Sequence, residues 1–146
     1  MQGFAISNLT NRNLKQKANR IILDLFKDGI NIKYKIFGKF IYLESKHIIT
    51  QKHLDEKIYS AKLSTDKKED IFTSISKLVK NTKKPTNFAV KVDRKGEHKY
   101  TSMELAKEVA GAAFEEWPNV KVNLDNPNLE INIQIINNRS IIYLRK

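Results

Sequence analysis

The side chains that carry out most enzyme chemistry are few and widely spaced in this sequence. It contains no cysteine, which excludes disulfides, thiol catalysis and thiolate metal ligands. The three histidines, His47, His53 and His98, lack the H-E-x-x-H spacing that places two imidazoles on one helix face. His47 and His53 could approach each other, but no third ligand accompanies them. The sequence therefore predicts no metal site.

Motifs for cofactor binding and for acid–base catalysis are also missing. The five glycines form neither a dinucleotide fingerprint, G-x-G-x-x-G, nor a Walker loop. The acidic pairs at residues 55–56 and 115–116 are chain neighbours, which point away from each other in a helix. We therefore expect a protein that is not an enzyme and that uses no cofactor.

Basic side chains are the most prominent chemical feature of the sequence. Lys and Arg together number 27 against 16 Asp and Glu, a formal net charge of +11. Such an imbalance favours a polyanionic partner, of which nucleic acid is the first to consider. A lysine-rich composition typical of an AT-rich genome would give the same count, so charge alone leaves both explanations open.

The densest basic segment is DRKGEHK, residues 93–99, which lies between a predicted strand and a predicted helix. Gly96 allows a tight turn that presents the basic side chains, because glycine adopts positive φ at little cost. Asp93 and Glu97 could instead pair with these cations locally. The RNA-binding residues predicted in this segment are Arg94, Lys95, His98 and Lys99.

Other basic residues are predicted to join this surface. The lysines after the preceding helix and on the following strand could converge with residues 94–99 on one edge of the protein, where clustered cations favour phosphate binding through counterion release. Tyr100, Phe37 and Phe40 could stack on unpaired bases or belong to the core. The additional candidates are Lys83, Lys84 and Lys91, together with Lys33, Lys35 and Lys39, which are chosen from charge alone.

The first half of the chain has the pattern of half a ferredoxin-like αβ sandwich. A strand at 4–7 precedes an amphipathic helix that begins at Leu14, has its apolar face from Leu14 to Phe26, and ends before Gly29. Alternating residues at 32–37 and the segment after Gly38 predict a β-hairpin. Residues 50–64 predict a short helix followed by an extended piece.

The second half alternates helices and strands. An apolar stripe predicts a helix over 66–80, and a strand, FAVKVD, follows Pro85. Thr101 and Glu104 form a capping box that opens a helix whose buried face extends to Phe114. Three strands are then predicted in VKVNL, LEINIQII and SIIYL.

No apolar run approaches the roughly 20 residues of a membrane span, and the N-terminus has no signal-peptide pattern. We therefore expect a soluble cytoplasmic protein with no membrane partner.

Two strings in the second half resemble the THUMP domain, an RNA-binding module of tRNA-modifying enzymes. The first is FAVKVDRKGEHKYTSMELAKEVAGAAFE, and the second is VNLDNPNLEINIQIINNRSIIYL. The resemblance implies an α+β fold, with a ferredoxin-like αβ sandwich at 1–62 followed by a THUMP αβ domain at 63–146. It also places Arg139, on the last turn, among the candidate RNA contacts.

The resemblance further implies binding of tRNA at its acceptor stem and 3′ end, with the chemistry in another domain. No S-G-G-x-D-S motif of thiouridine synthetases and no methyltransferase cofactor motif is present. We therefore expect a tRNA-binding adapter, similar to those that assist tRNA acetylation, which serves a tRNA-modifying enzyme in trans. The alternatives are an RNA-binding fragment or subunit of an enzyme whose catalytic domain is on another chain, and an rRNA-associated structural protein.

Overall fold

The computed structural model describes residues 2–6, 13–47, 49–50, 54 and 57–146. They form two compact units, Met1–Ala61 and Lys62–Lys146. The predicted division into domains 1–62 and 63–146 stays a prediction. The described elements, in chain order, are β1 (Gln2–Ile6), α1 (Leu14–Lys27), β2 (Ile32–Phe37), β3 (Phe40–Ser45), β4 (Ile58–Thr65), α2 (Lys68–Lys80), β5 (Asn87–Lys95), α3 (Ser102–Glu116), β6 (Lys121–Val122), β7 (Leu129–Ile136) and β8 (Arg139–Arg145).

The N-terminal unit is an antiparallel sheet in the order β2-β3-β1-β4 with α1 packed on it. This strand order is the one a ferredoxin-like βαββαβ chain produces. The buried positions of α1 are spaced as the sequence predicts, so its apolar stripe closes the core. The short helix predicted near residues 50–57 falls mostly outside the described residues. The buried residues of α1 are Leu14, Ala18, Ile21 and Leu25.

The end of α1 corrects one detail of the predicted core. Phe26 is 63% exposed, although the sequence places it on the apolar face. Leu25 takes the last buried position, and the next residue turns about 100° away from the core. Gly29, at φ 78, then ends the helix in a Schellman arrangement, with Ile30 N–H bonded to Leu25 O.

The C-terminal unit has α2 and α3 on one face of a sheet ordered β8-β7-β5-β6. β5 is parallel to β6 and β7, and β8 is antiparallel to β7. Alternate residues of β7, such as Ile131 and Ile133, pack against Leu105 of α3 and Ile75 of α2 in one fully buried cluster. The mixed α/β architecture is the one the sequence predicts.

Element boundaries in this unit differ from those predicted. α2 begins at Lys68 rather than at residue 66, and β6 comprises only Lys121–Val122. β5 continues two residues beyond FAVKVD, because it pairs with β7 up to the Lys95–Ile136 position. Phe114 is 42% exposed rather than buried, since it lies at the sheet edge with its ring edge-on to Phe88. Each of the described helices is too short to cross a bilayer.

Candidate nucleic-acid interface

At one edge of the C-terminal unit, β5 ends and both α2 and α3 begin. We call it the helix-start edge and define it by residues 65–69, 94–102 and 137–140. Helix N-termini carry partial positive charge and unpaired backbone N–H groups. The basic segment at 93–99 lies at this edge, so its side chains add to the positive potential of two helix ends.

Arg94 is the most constrained cation of this edge. It pairs with the buried Ile135 of β7, so its side chain lies on the face of the sheet that carries the helices. Its Nε donates to Ser102 Oγ at 3.1 Å, and its Nη1 is 3.0 Å from His98 Nδ1. Nη2 has no hydrogen-bond partner among the described residues, and Nη1 uses only one of its two N–H groups, so three N–H groups are left to bind a ligand.

His98 lies beneath this guanidinium with its imidazole 1% exposed. Arg94 can only donate, so Nδ1 accepts; Nε2 is 2.7 Å from the carbonyl oxygen of Asn137, so Nε2 donates. Asp66 Oδ2 lies 3.8 Å from the same Nε2. The ring is therefore a neutral Nε2–H tautomer, and both of its nitrogens are occupied by protein groups.

Tyr100 lies next to His98 at the helix-start edge. Its ring stacks on His98 with centroids 5.4 Å apart, and its hydroxyl donates to the carbonyl oxygen of Asp66. Burial, reinforced by the charge of Asp66 and opposed by Arg94, raises the pKa of the Tyr100 hydroxyl above its ordinary value of 10.0. The hydroxyl is therefore protonated at neutral pH and acts as a structural donor.

The turn at Gly96 packs closely against the β7–β8 turn at Asn137 at this edge. Gly96 has φ 102, and a Cβ at this position would lie 2.5 Å from Asn137 Oδ1. Asn137, itself at φ 55, donates its backbone N–H to Lys95 O at 2.8 Å. Glycine is required here both for its conformation and for the close approach of the β7–β8 turn.

Lys95 and Arg139 lie on the other face of the sheet. Both are exposed, and Ile136 pairs with each of them, so the three side chains form one row across β5, β7 and β8. Arg139 is thus the first residue of β8 and not part of a turn. Lys95 likewise ends β5, and the basic segment supplies cations to both faces.

A depression of about 640 Å³ opens beside the helix starts. Lys67 and Lys99 are exposed at its rim, whereas Lys68 is bonded to Glu108 at 3.1 Å and lies 5.8 Å from the Tyr100 ring centre. Three lysines and three carboxylates line the depression, at the N-terminus of α2. Its lining residues are Asp66, Lys67, Lys68, Glu69, Glu97, His98, Lys99 and Tyr100.

Three predicted lysines lie away from this edge. Lys83 and Lys84 follow the end of α2, at a second edge that we call the helix-end edge, residues 80–87 and 117–124. β5 separates the two edges by about 26 Å at 3.3 Å per residue. Lys91 lies between them and donates to Leu124 O at 3.0 Å. The prediction that these lysines converge with residues 94–99 is wrong, because β5 runs from one edge to the other.

The lysines predicted from charge alone belong to the N-terminal unit. Lys33 and Lys35 alternate on the outer strand β2, and Lys39 lies in the two-residue turn to β3. All three are exposed. They form a separate basic group on the β2–β3 hairpin.

Sequence reasoning missed several residues of the helix-start edge. Lys67 and Lys68 lie where the sequence predicts the start of a helix. Two lysines at that end oppose the helix dipole, and this unfavourable placement is a signal that could identify them. Ser102 and Asn137 become relevant only through contacts over 8 and 39 residues of chain, with Arg94 and His98 respectively. Within the described ranges, no group of three His, Asp or Glu side chains could hold a metal ion.

Comparison with known proteins places this edge in a defined module. A family model of the THUMP domain matches residues 66–145, more than half of the chain. The chain belongs to the THUMP-domain family. The match begins at Asp66 and ends in β8, so the whole helix-start edge except Thr65 lies inside the THUMP domain.

Curated relatives of this THUMP domain are tRNA sulfurtransferases. The protein from Tolumonas auensis is 36% identical over 75 residues, which are 51% of this chain and 15% of the relative. The protein from Desulfurococcus amylolyticus is 38% identical over 56 residues, 38% of this chain and 11% of the relative. The chain thus spans about 15% of the length of the first of these relatives.

Solved structures share the fold over nearly all of the chain. PH1313 from Pyrococcus horikoshii superposes with a TM-score of 0.71 at 16% identity, covering 99% of this chain and 54% of that one. A 4-thiouridine synthetase, solved as an RNA complex with bound ATP, gives a TM-score of 0.68 at 11% identity, covering 99% and 41%. At these identities the likeness concerns the fold.

Proposed function

We propose that this chain is a non-catalytic tRNA-binding protein of the cytoplasm that recognises the acceptor region and 3′ end of tRNA and presents the tRNA to a separate modifying enzyme. The THUMP relatives are tRNA sulfurtransferases, and one protein of the same fold was solved with RNA. The modifying enzyme served would be an acetyltransferase, a methyltransferase or a thiolation enzyme.

One observation supports the binding role most strongly. The helix-start edge holds Arg94, with three free N–H groups, and the exposed Lys67 and Lys99, where two helices begin. Phosphate groups favour this combination, because each cation neutralises backbone charge and releases counterions. We therefore assign the principal RNA contact to this edge, with Lys95 and Arg139 reached on the other face.

The non-catalytic role rests on the chemistry of the side chains. Arg94, His98 and Tyr100 are engaged with protein groups, and Tyr100 carries a raised pKa, which makes it a poor base at neutral pH. None of them is placed as a nucleophile with an adjacent free base. The chemistry would therefore be supplied by the partner enzyme.

Binding of intact tRNA and of tRNA shortened at its 3′ end tests the proposal. Gel shifts or filter binding across a salt series should show tighter binding of intact tRNA and a steep loss of affinity with salt. Equal binding of both RNAs would remove the 3′-end claim. Absence of binding at low salt would remove the proposal itself.

A second candidate is an RNA-binding fragment or subunit of a tRNA-modifying enzyme whose catalytic domain is on another chain. The curated relatives of the THUMP domain are themselves enzymes, tRNA sulfurtransferases, which favours it. Co-purification from native cells separates the two. A stable, stoichiometric complex with a catalytic chain supports the subunit, whereas a partner captured only in the presence of tRNA supports the adapter.

A further inference from the structure

We propose that His98 is a positioning residue, whose neutral imidazole holds the guanidinium of Arg94 in the orientation that binds an RNA phosphate. This inference rests on the proposed function and assigns a specific role within it. It differs from the sequence-based expectation, in which the cation of His98 would itself contact RNA.

Burial excludes direct contact in the observed arrangement. The imidazole is 1% exposed, lies against Tyr100 and has both nitrogens occupied. A ligand could reach a ring nitrogen only by displacing Arg94 or the Asn137 carbonyl. The half-buried Arg94, which keeps free donors, is therefore the member of this cluster that can bind a ligand.

The geometry of the guanidinium explains what the imidazole does. A free arginine side chain has many rotamers, and ordering it on binding costs affinity. Here Ser102 fixes Nε and His98 fixes Nη1, so two contacts on one planar group define its orientation. Nη2 is left as the donor for a phosphate oxygen, pre-oriented before RNA arrives.

The arrangement requires an uncharged ring. Protonation would replace the Nδ1 acceptor by a donor and place a second cation 3.0 Å from Arg94. The groups facing the ring are the Asp66 carboxylate, the Asn137 carbonyl, Tyr100 and Arg94. The charges lining the adjoining depression are Lys67, Lys68, Glu69, Glu97 and Lys99. Asp66 offsets charge at Nε2 but cannot restore an acceptor at Nδ1.

Two substitutions test the roles of the two His98 ring nitrogens separately. His98→Asn keeps an acceptor oxygen near the Nδ1 position, and His98→Gln keeps a donor near the Nε2 position. We expect tRNA affinity within about 2-fold of wild type for His98→Asn and a loss of about 5-fold to 10-fold for His98→Gln, as for one hydrogen bond. Equal losses for both variants, or normal binding by His98→Gln, would overturn the inference.

A double-mutant cycle keeps the inference testable should a His98 variant unfold more readily. In an Arg94→Ala background, His98→Gln should cause no further loss of affinity, because no guanidinium remains to be positioned. Additive losses would contradict the proposed role. If the wild-type protein binds no tRNA, the proposed function and this inference both fall; if it binds and only the cycle fails, the inference alone falls.

Discussion

The two edges of the THUMP domain are both basic, but their cations have different surroundings. At the helix-end edge, Lys84 Nζ donates to the carbonyl oxygen of Pro118 at 2.9 Å, just beyond the end of α3. A cation there satisfies a backbone group and complements the helix dipole. At the helix-start edge, cations lie where the dipole is already positive, and Arg94 has free donors. Cations with donors that the fold does not use therefore distinguish the helix-start edge.

The largest expected effect compares a strained turn at each edge. Gly96→Ala should lower the free energy of unfolding by about 2 kcal/mol and weaken tRNA binding, because of its positive φ and the clash with Asn137. Asn119→Ala, at φ 68 on the helix-end edge, should cost about 1 kcal/mol and leave tRNA binding unchanged. Chemical denaturation and gel shifts measure both. Equal losses of tRNA affinity in the two variants would contradict the proposed difference between the edges.

Removing one cation from each edge is the next test. Arg94→Ala should reduce tRNA affinity about 10-fold, the value of a charged hydrogen bond, whereas Lys84→Ala should change it less than about 2-fold. Arg94→Ala combined with Lys95→Ala should reduce it further while the fold persists. Lys95 is exposed and contributes little to stability, whereas loss of the bond from the half-buried Arg94 to His98 should cost about 1 kcal/mol. Filter binding with thermal unfolding in parallel measures this. Normal binding by the double variant would remove residues 94–95 from the site.

Threonine hydroxyls at the two edges give a smaller effect on stability. Thr101 Oγ1 accepts the Glu104 N–H at 3.1 Å and caps α3, so Thr101→Ala should cost about 1 kcal/mol of unfolding free energy. Thr82 Oγ1 only donates to Leu78 O at the end of α2, and Thr82→Ala should cost a few tenths of that. Urea denaturation distinguishes them. A larger loss for Thr82→Ala would contradict this account.

Substituting one exposed lysine at each edge compares the two edges through the salt dependence of tRNA binding. Lys99→Ala should reduce the slope of log affinity against log salt by about 1, as expected for one lost phosphate contact. Lys83 is also exposed, at the helix-end edge, and Lys83→Ala should leave the slope unchanged. A salt titration of binding at neutral pH measures both. A slope change for Lys83 alone would move the interface to the other edge.

The smallest expected effect concerns Tyr100 at alkaline pH. Its pKa is raised in the folded state, so the neutral hydroxyl favours the fold below pH 10, and this stability is lost as pH rises above that value. Between pH 9 and 10.5 the loss should be below about 1 kcal/mol. Unfolding of wild type and Tyr100→Phe across this range measures it. A loss that is identical in the variant would assign it to other tyrosines.

Local patterns predicted most of the elements because each has a short-range cause. The period of α1, the alternation in β7 and the cap at Thr101 depend on residues within a few positions of one another. The end of β5 does not, since Lys95 is held in the sheet by Ile136, 41 residues away. Strand pairing decided that boundary.

The candidate site was predicted in part, for the same reason. The sequence shows the segment 93–99 as a charge cluster, and two of its predicted residues, His98 and Lys99, line one depression. A count of charges does not show which of these side chains are already bonded to the protein. Ser102 bonds to Arg94 and Asn137 bonds to His98 only once the chain is folded. Lys83 and Lys84 were grouped with it because a linear sequence does not show the length of β5.

The alternation of Arg94 and Lys95 across the end of β5 has a consequence for the path of a bound strand. Neighbours in sequence, they point to opposite sides of the sheet, so a single phosphate cannot contact both. A polynucleotide that engages Arg94 and the Lys95–Arg139 row has to pass over the strand ends and turn around the rim. Crosslinking groups attached at positions 94 and 95 would therefore label nucleotides several steps apart.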